Sequence, residues 1–281
     1  MALPKTISAG LAAVALCASM ASARAAEICD ADVPCPVANG DYLMRTPPGW
    51  DGKTPLPVIL FFHGAFNTAR DSMGDEGLKK AAADNGALLV FADGENKNWS
   101  YPGKMRGTRD DFKYTDNVLD DVERRLPVDK ANILASGFSV GGSMVWYLAC
   151  LQASRFRAFA PVAGAFWEPM PETCPAGPVS LRHTHGTNDH TVPMAGRELR
   201  GGLYKQGDVN ESLRRLRARD ECPEAPDRTY EKDGATCRAW SAKTCATGRE
   251  IEVCLHGGDH MLDGRWVSDG FTWMKGLPAA K

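Results

Sequence analysis

The segment Gly137-Phe138-Ser139-Val140-Gly141 constrains the fold of this chain more than any other. It follows a β-prone run, Asn132 to Ser136, and precedes an apolar stretch that reads as a helix to about Cys150. In a strand–turn–helix context, G-x-S-x-G forms a sharp turn that exposes the serine hydroxyl at the C-terminal edge of a sheet. The segment therefore predicts Ser139 as a nucleophile, against the alternative of a glycine-rich turn with an idle serine.

Strands and helices are predicted to alternate around this turn. Strands are expected at 58–62, 87–92, 132–136, 156–162, 179–182, 236–241 and 250–255, and helices at 71–85, 114–126 and 266–274. Such alternation implies right-handed crossovers and a mostly parallel sheet with helices on both faces. We expect one domain.

Composition excludes several classes of protein. Hydrophobic residues make up 43% of the 281 residues, charged residues make up 24%, and the formal net charge is -2. These values are ordinary for a soluble globular protein, and they indicate no basic surface for a nucleic acid. Beyond the N-terminus, no apolar run reaches the roughly 18 residues of a membrane span, so we expect no membrane contact after signal cleavage.

The N-terminus has the pattern of a signal peptide. Lys5 precedes the apolar stretch Ile7 to Ala21, and small residues at 21, 23 and 25 offer cleavage sites. We expect residues 1–26 to form the signal peptide, with cleavage between 23 and 26, and residues 27–281 to form the catalytic domain. The protein is then secreted, to the periplasm or the medium.

The cysteines agree with export. Of nine cysteines, Cys17 leaves with the signal peptide, and an even number remains, as in a disulfide-bonded exported protein. No C-x-x-C pair is present, which disfavours structural zinc. The predicted pairs are Cys29–Cys35, Cys150–Cys174, Cys222–Cys245 and Cys237–Cys254. The last pair assumes that the two late strands form a hairpin about Ala246, which places its cysteines opposite each other.

A serine nucleophile on this fold needs an acid and then a base, in that chain order. Asp189 follows the strand that ends near Arg182, and His260 follows the last strand after Gly257 and Gly258. Asp189 is the predicted acid and His260 the predicted base. His256 falls at the end of the strand and is interpreted as structural.

The oxyanion hole should use backbone N–H groups beside the nucleophile. Val140 follows Ser139, and Ala65 lies in the loop after strand 58–62. We expect these two N–H groups to bind the oxyanion, whereas the neighbouring His63 side chain braces the loop.

A metal centre is the rival interpretation of the segment that contains Asp189. His183, His185, Asp189 and His190 resemble a dinuclear metal motif, H-x-H-x-D-H, but their spacing is two residues too long. Such a centre also leaves the Ser139 turn without a role. We therefore expect no metal and no cofactor.

Taken together, these segments resemble the secreted esterases that include polyhydroxybutyrate depolymerases and feruloyl esterases. The similarity extends from about Tyr42 to His260 and includes 56–64, 110–111, 127–129, 137–142, 148–150, 159–164, 185–189 and 192–193. It implies an α/β-hydrolase fold and the triad Ser139, Asp189 and His260. Two departures affect the inference about substrate: Phe138 replaces the usual leucine, and Met261-Leu262-Asp263 stands where x-W-P usually follows the last histidine.

The resemblance implies a serine esterase whose substrate is a polyhydroxyalkanoate or, alternatively, a feruloyl or acetyl ester on plant polysaccharide. Trp99 and Trp167 fall in loops near the predicted site, where they contact either substrate or only the protein interior. A second class of function is an exported binding protein that has lost its chemistry.

Overall fold

The computed structural model describes residue 1, residue 29 and residues 33–103 and 109–278. Apart from Met1, the predicted signal peptide and its cleavage site lie outside the described residues.

Ten strands form one sheet within the described residues, and two more form a separate hairpin. The strands are β1 (Cys35–Val37), β2 (Gly40–Arg45), β3 (Leu56–Phe62), β4 (Leu88–Ala92), β5 (Val128–Phe138), β6 (Ala158–Val162), β7 (Leu181–Gly186), β8 (Arg197–Leu199), β9 (Tyr204–Gln206), β10 (Arg228–Lys232), β11 (Ala235–Trp240) and β12 (Ile251–His256). The large sheet has the order β1-β2-β4-β3-β5-β6-β7-β12-β11-β10, and β8 pairs with β9. The six central strands from β4 to β12 are parallel, and two antiparallel strands extend each edge. The predicted parallel core is confirmed.

Helices cover both faces of the sheet. They are α1 (Ala69–Gly74), α2 (Glu76–Asp84), α3 (Asp111–Arg125), α4 (Val140–Leu151), α5 (Val209–Arg219) and α6 (Gly264–Gly276), with a 3-10 turn at Glu95–Lys97. Side chains alternate along β3, as the pleat requires. Leu60 and Phe62 pack into a core with α3, α4 and α5, whereas Ile59 and Phe61 pack into a second core with α2 and α6. No helix of the described residues is long and apolar enough to span a membrane.

The helix predicted over residues 71–85 is instead two helices, α1 and α2. The break comes at Asp75, whose backbone is extended and whose carboxylate accepts a hydrogen bond from the Leu78 N–H at 2.9 Å. An aspartate that caps the second helix ends the first, because the cap residue must leave helical geometry.

Four disulfides join the same cysteine pairs that the sequence analysis proposes: Cys29–Cys35, Cys150–Cys174, Cys222–Cys245 and Cys237–Cys254. The last bond crosses the antiparallel pair β11–β12, where its two cysteines stand directly opposite each other. It therefore ties the strand that leads to His260 to its neighbour.

Candidate active site

Ser139 lies at the sharp turn between β5 and α4. Its backbone has φ 59° and ψ −121°, a conformation that is costly for a residue with a side chain and is tolerated at functional sites. The flanking glycines allow the turn: a Cβ on Gly137 would lie 2.6 Å from the Gly141 carbonyl oxygen. The strained turn holds the serine hydroxyl at the C-terminal edge of the parallel strands, where α/β sites form.

The three residues predicted as nucleophile, acid and base come together at this edge. His260 Nε2 lies 2.9 Å from Ser139 Oγ, and His260 Nδ1 lies 2.7 Å from Asp189 Oδ2. Since an ionised carboxylate only accepts, Nδ1 carries the proton and Nε2 is free to accept the serine proton. This is the tautomer that a general base for serine requires.

Asp189 is held as a carboxylate. Its other oxygen accepts hydrogen bonds from the backbone N–H groups of Thr191 and Val192, at 2.8 and 2.7 Å. Burial pushes the pKa of Asp189 upward, but the hydrogen bonds from His260 and Val192 outweigh it and leave the pKa below its ordinary value. Asp189 is therefore ionised at neutral pH.

The loops that carry the acid and the base are tied to each other. Asp259 Oδ1 accepts from the backbone N–H groups of His190 and His260, at 3.0 and 2.7 Å. The Asn188 side chain donates to the Gly257 carbonyl at 2.8 Å. These bonds orient His260 although its loop contains two glycines.

The two candidate oxyanion donors flank the same space. Ala65 and Val140 line the cleft beside Ser139, and within the described residues neither backbone N–H donates a hydrogen bond. His63 braces the Ala65 loop: it accepts from the Gly94 N–H at 2.9 Å and contacts the Gly64 carbonyl oxygen at 2.8 Å. Both N–H groups are thus available to a ligand.

The cleft above Ser139 has a volume of about 500 Å³. One wall is the β8–β9 hairpin, whose alternate residues line the cleft: Arg197, Leu199, Tyr204 and Gln206. This hairpin is not among the elements predicted from the sequence. The signal that marks it is Gly201-Gly202, a turn pattern between two short runs.

Trp99 and Trp167 also line the cleft but are largely covered by protein, with exposed fractions of 1% and 5%. The indole N–H of Trp99 donates to the His63 carbonyl at 2.8 Å, and that of Trp167 donates to Ser143 Oγ at 3.3 Å. Their polar ends are committed to the protein, so both residues shape the walls of the cleft.

His256 and the histidines of the alternative metal site do not take part in the contacts between Ser139, His260 and Asp189. The His256 ring stacks on Trp266 with 4.3 Å between ring centres. His183 and His185 contact each other at 2.9 Å, and their remaining ring nitrogens face backbone carbonyl oxygens. His190 is exposed. The structure thus does not assemble these residues into one set of ligands.

Residues 41–200, more than half of the chain, match the family model Esterase, described as "Putative esterase". The chain belongs to this esterase family. It is a serine ester hydrolase of the α/β-hydrolase superfamily, so the predicted family and class of enzyme are confirmed.

Curated relatives of the esterase include feruloyl esterases from fungi. Feruloyl esterase D of Neurospora crassa is 26% identical over 233 residues, which cover 78% of this chain and 73% of the relative. Feruloyl esterase C of Emericella nidulans is 28% identical over 163 residues, which cover 56% of this chain and 57% of the relative.

Solved structures show the same fold. An acetyl xylan esterase from Aspergillus awamori superposes with a TM-score of 0.59 at 13% identity, covering 83% of this chain and 94% of the other. A mutant feruloyl esterase module from Clostridium thermocellum, in complex with sinapinate, has a TM-score of 0.55 at 14% identity and covers 88% and 86%. The expected α/β-hydrolase fold of the esterase is confirmed.

Proposed function

We propose that the esterase cleaves carboxylic esters with Ser139 as nucleophile, His260 as general base and Asp189 as the acid that orients the base. The observation that carries this proposal is the unbroken chain of hydrogen bonds from Ser139 Oγ to the buried carboxylate, with distances of 2.9 and 2.7 Å. A nucleophile, a base and an orienting group within such distances are the signature of covalent catalysis.

The mechanism is a two-step acyl transfer. Ser139 Oγ attacks the ester carbonyl while His260 Nε2 takes its proton, and the Ala65 and Val140 N–H groups stabilise the oxyanion. The imidazolium then protonates the departing alkoxide, which leaves an acyl-serine and a free alcohol. Water, deprotonated by His260, then attacks the acyl-serine. The imidazolium returns this proton to Ser139 Oγ as the carboxylic acid leaves, which restores the free enzyme.

The substrate we propose is an ester with an aromatic acyl group of the feruloyl type. Aromatic side chains dominate the apolar part of the cleft: Phe66, Trp99, Trp167 and Tyr204. A cleft of about 500 Å³ is in the range of small-molecule sites, and its apolar walls suit a planar ring. The names of the curated relatives agree with this class. Polyhydroxybutyrate and acetylated xylan remain the alternatives.

Export is part of the proposal. The signal-peptide pattern at residues 1–26 and four disulfides support export of the catalytic domain, residues 27–281, to an oxidising compartment outside the cytosol. The periplasm and the medium are both such compartments.

The decisive experiment compares the wild-type mature chain with Ser139→Ala on three substrates: methyl ferulate, polyhydroxybutyrate film and acetylated xylan. We expect methyl ferulate to be cleaved fastest and the variant to lose at least ~10³-fold in kcat. Ser154→Ala, an exposed serine away from the cleft, is the matched control and should retain full activity.

The other outcomes separate the alternatives. Near-normal turnover by Ser139→Ala contradicts the serine mechanism. Cleavage of the film or of acetylated xylan alone contradicts the feruloyl-ester proposal but not the mechanism. Ferulate binding with no turnover of any ester would indicate the inactive binding protein.

A further inference from the structure

Two buried histidines lie behind the proposed acid and have no part in the mechanism above. His183 and His185 occupy alternate positions of β7, so both point to the same face of the sheet. Neither side chain is exposed to solvent, and His185 Nε2 lies 3.5 Å from Asp189 Oδ2. The question is how many protons the two rings carry.

The atoms that face each ring nitrogen indicate which of these nitrogens carry protons. His183 Nδ1 faces the Pro161 carbonyl oxygen at 3.1 Å, and His185 Nε2 faces the Val192 carbonyl oxygen at 2.8 Å. A carbonyl oxygen can only accept, so each of these nitrogens carries a proton. Between the rings, His183 Nε2 and His185 Nδ1 are 2.9 Å apart, and a hydrogen bond at that distance needs a third proton.

Two neutral imidazoles hold only two protons in total. With both outer nitrogens protonated, neutral rings would point two lone pairs at each other across 2.9 Å. We infer that His183 and His185 share three ring protons and carry one positive charge, which lies against the Asp189 carboxylate and moderates its pull on His260. We call this pair the histidine dyad.

Some neighbours of the dyad lower the pKa of its histidines, and others raise it. Burial holds the pKa of both histidines below its ordinary value, and burial together with the neighbouring His185 ring holds the pKa of His183 well below it. Trp146 packs on His183 with ring centres 5.3 Å apart. The nearby His260 and His256 also lower the pKa of His185, whereas Asp189 and the Val192 carbonyl raise it. The carboxylate supplies the counter-charge that a buried cation needs.

The dyad positions and tunes the base without touching the substrate. A cation beside Asp189 offsets part of the negative charge that stabilises protonated His260. We therefore expect the dyad to affect the pH dependence of ester cleavage. This kinetic consequence rests on the proposed function, but the proton count does not.

The first test is nuclear magnetic resonance of the folded, disulfide-bonded protein labelled with ¹⁵N-histidine, at pH 7. We expect three ring N–H signals from the dyad, including a strongly deshielded one from the proton between the rings. His63 is the internal control: it is equally buried, accepts from the Gly94 N–H and should show one ring proton. Two ring protons on the dyad would overturn the inference, whatever the enzyme does to esters.

The second test is the pH profile of kcat/KM for His185→Gln, which can keep a donor to the Val192 carbonyl but carries no charge. We expect the acidic limb to move to higher pH by about half a unit to one unit, because Asp189 then stabilises protonated His260 more strongly. His190→Gln, an exposed histidine on the same loop, should leave the limb in place. A folded His185→Gln enzyme with an unmoved limb would contradict the tuning role. If the variant does not fold, the resonance count in the wild type still decides.

Discussion

At the scale of single residues, the two late histidines differ in what their rings contact. His260 joins Ser139 and Asp189 by hydrogen bonds, whereas His256 stacks on Trp266 and accepts from the Gly258 N–H at 3.1 Å. The first set of contacts serves proton transfer, and the second holds the loop.

We therefore expect His260→Ala to lower kcat by at least ~10³-fold, because the serine loses its base. His256→Ala should keep kcat within about tenfold of the wild type and should lower the melting temperature, because it removes the stacking on Trp266 and the hydrogen bond from the Gly258 N–H but no group that transfers a proton. Steady-state kinetics and thermal unfolding on both variants check this. Equal losses of kcat in two folded variants would contradict the assignment of the base.

Asp220 gives the stability of the fold a pH dependence. It is fully buried, and burial raises its pKa to about 6 although Arg219 Nε donates to it at 2.8 Å. The folded state therefore binds a proton more tightly than the unfolded state, whose pKa is about 4. Protonated Asp220 therefore contributes to the unfolding free energy at low pH, and this contribution is lost as pH rises through about 6.

The expected loss between pH 5 and pH 8 is about 1 kcal/mol of unfolding free energy. Asp220→Asn cannot ionise, so urea titrations at the two pH values should show a smaller difference for the variant than for the wild type. Asp51→Asn, at an exposed aspartate, should not reduce the difference. An unchanged difference in Asp220→Asn would mean that this carboxyl does not titrate in that range.

At the scale of elements, the β8–β9 hairpin sets the width of the cleft. Tyr204 and Leu199 face the cleft, whereas their neighbours Lys205 and Glu198 are exposed. Leu199 and Tyr204 are only partly buried and pack against the margin of the first core, so we expect substitutions there to change the cleft without loss of the fold.

Tyr204→Ala should raise KM for methyl ferulate about tenfold, since an apolar contact with a ring is worth one or two kcal/mol. It should leave kcat/KM for p-nitrophenyl acetate nearly unchanged, because a small acyl group does not reach the hairpin. Lys205→Ala is the matched control on the opposite face of the strand. An equal effect of Tyr204→Ala on both esters would contradict a specificity role for the hairpin.

At the scale of the whole molecule, the sequence predicts the buried central strands of the sheet better than the short or exposed elements around it. The buried parallel strands are continuous apolar runs, such as β3 and β4, and can be recognised from sequence. The hairpin strands β8 and β9 have three residues each, too few to show a period. The exposed strand β10 and the polar helix α5 were not predicted either.

The same contrast applies to the site. Ser139, Asp189 and His260 each follow a core strand, so chain order and sheet topology bring them to one edge. The cleft wall depends on contacts between the hairpin and distant loops, which no local pattern encodes. Likewise, the spacing of His183 and His185 suggests ligands, and only their carbonyl partners show otherwise.

The late disulfides connect global stability to the site. Cys237–Cys254 joins β11 to the strand that leads to His260, and it closes a loop with a sequence separation of 17. Such a crosslink stabilises by about 3 kcal/mol, chiefly by restricting the unfolded chain. We expect replacement of both cysteines by serine to lower the unfolding free energy by about that amount. It should also lower kcat in the folded fraction, because β12 loses an anchor six residues before the base.

The matched control replaces Cys29 and Cys35, whose bond lies in the N-terminal segment and has a separation of only 6. This control should cost less stability and leave kcat unchanged. Urea titration measures the loss of unfolding free energy, and kinetics at equal concentrations of folded enzyme measure the loss of kcat. An undiminished kcat in the Cys237/Cys254 double variant would show that the bond supports the fold but not the position of His260.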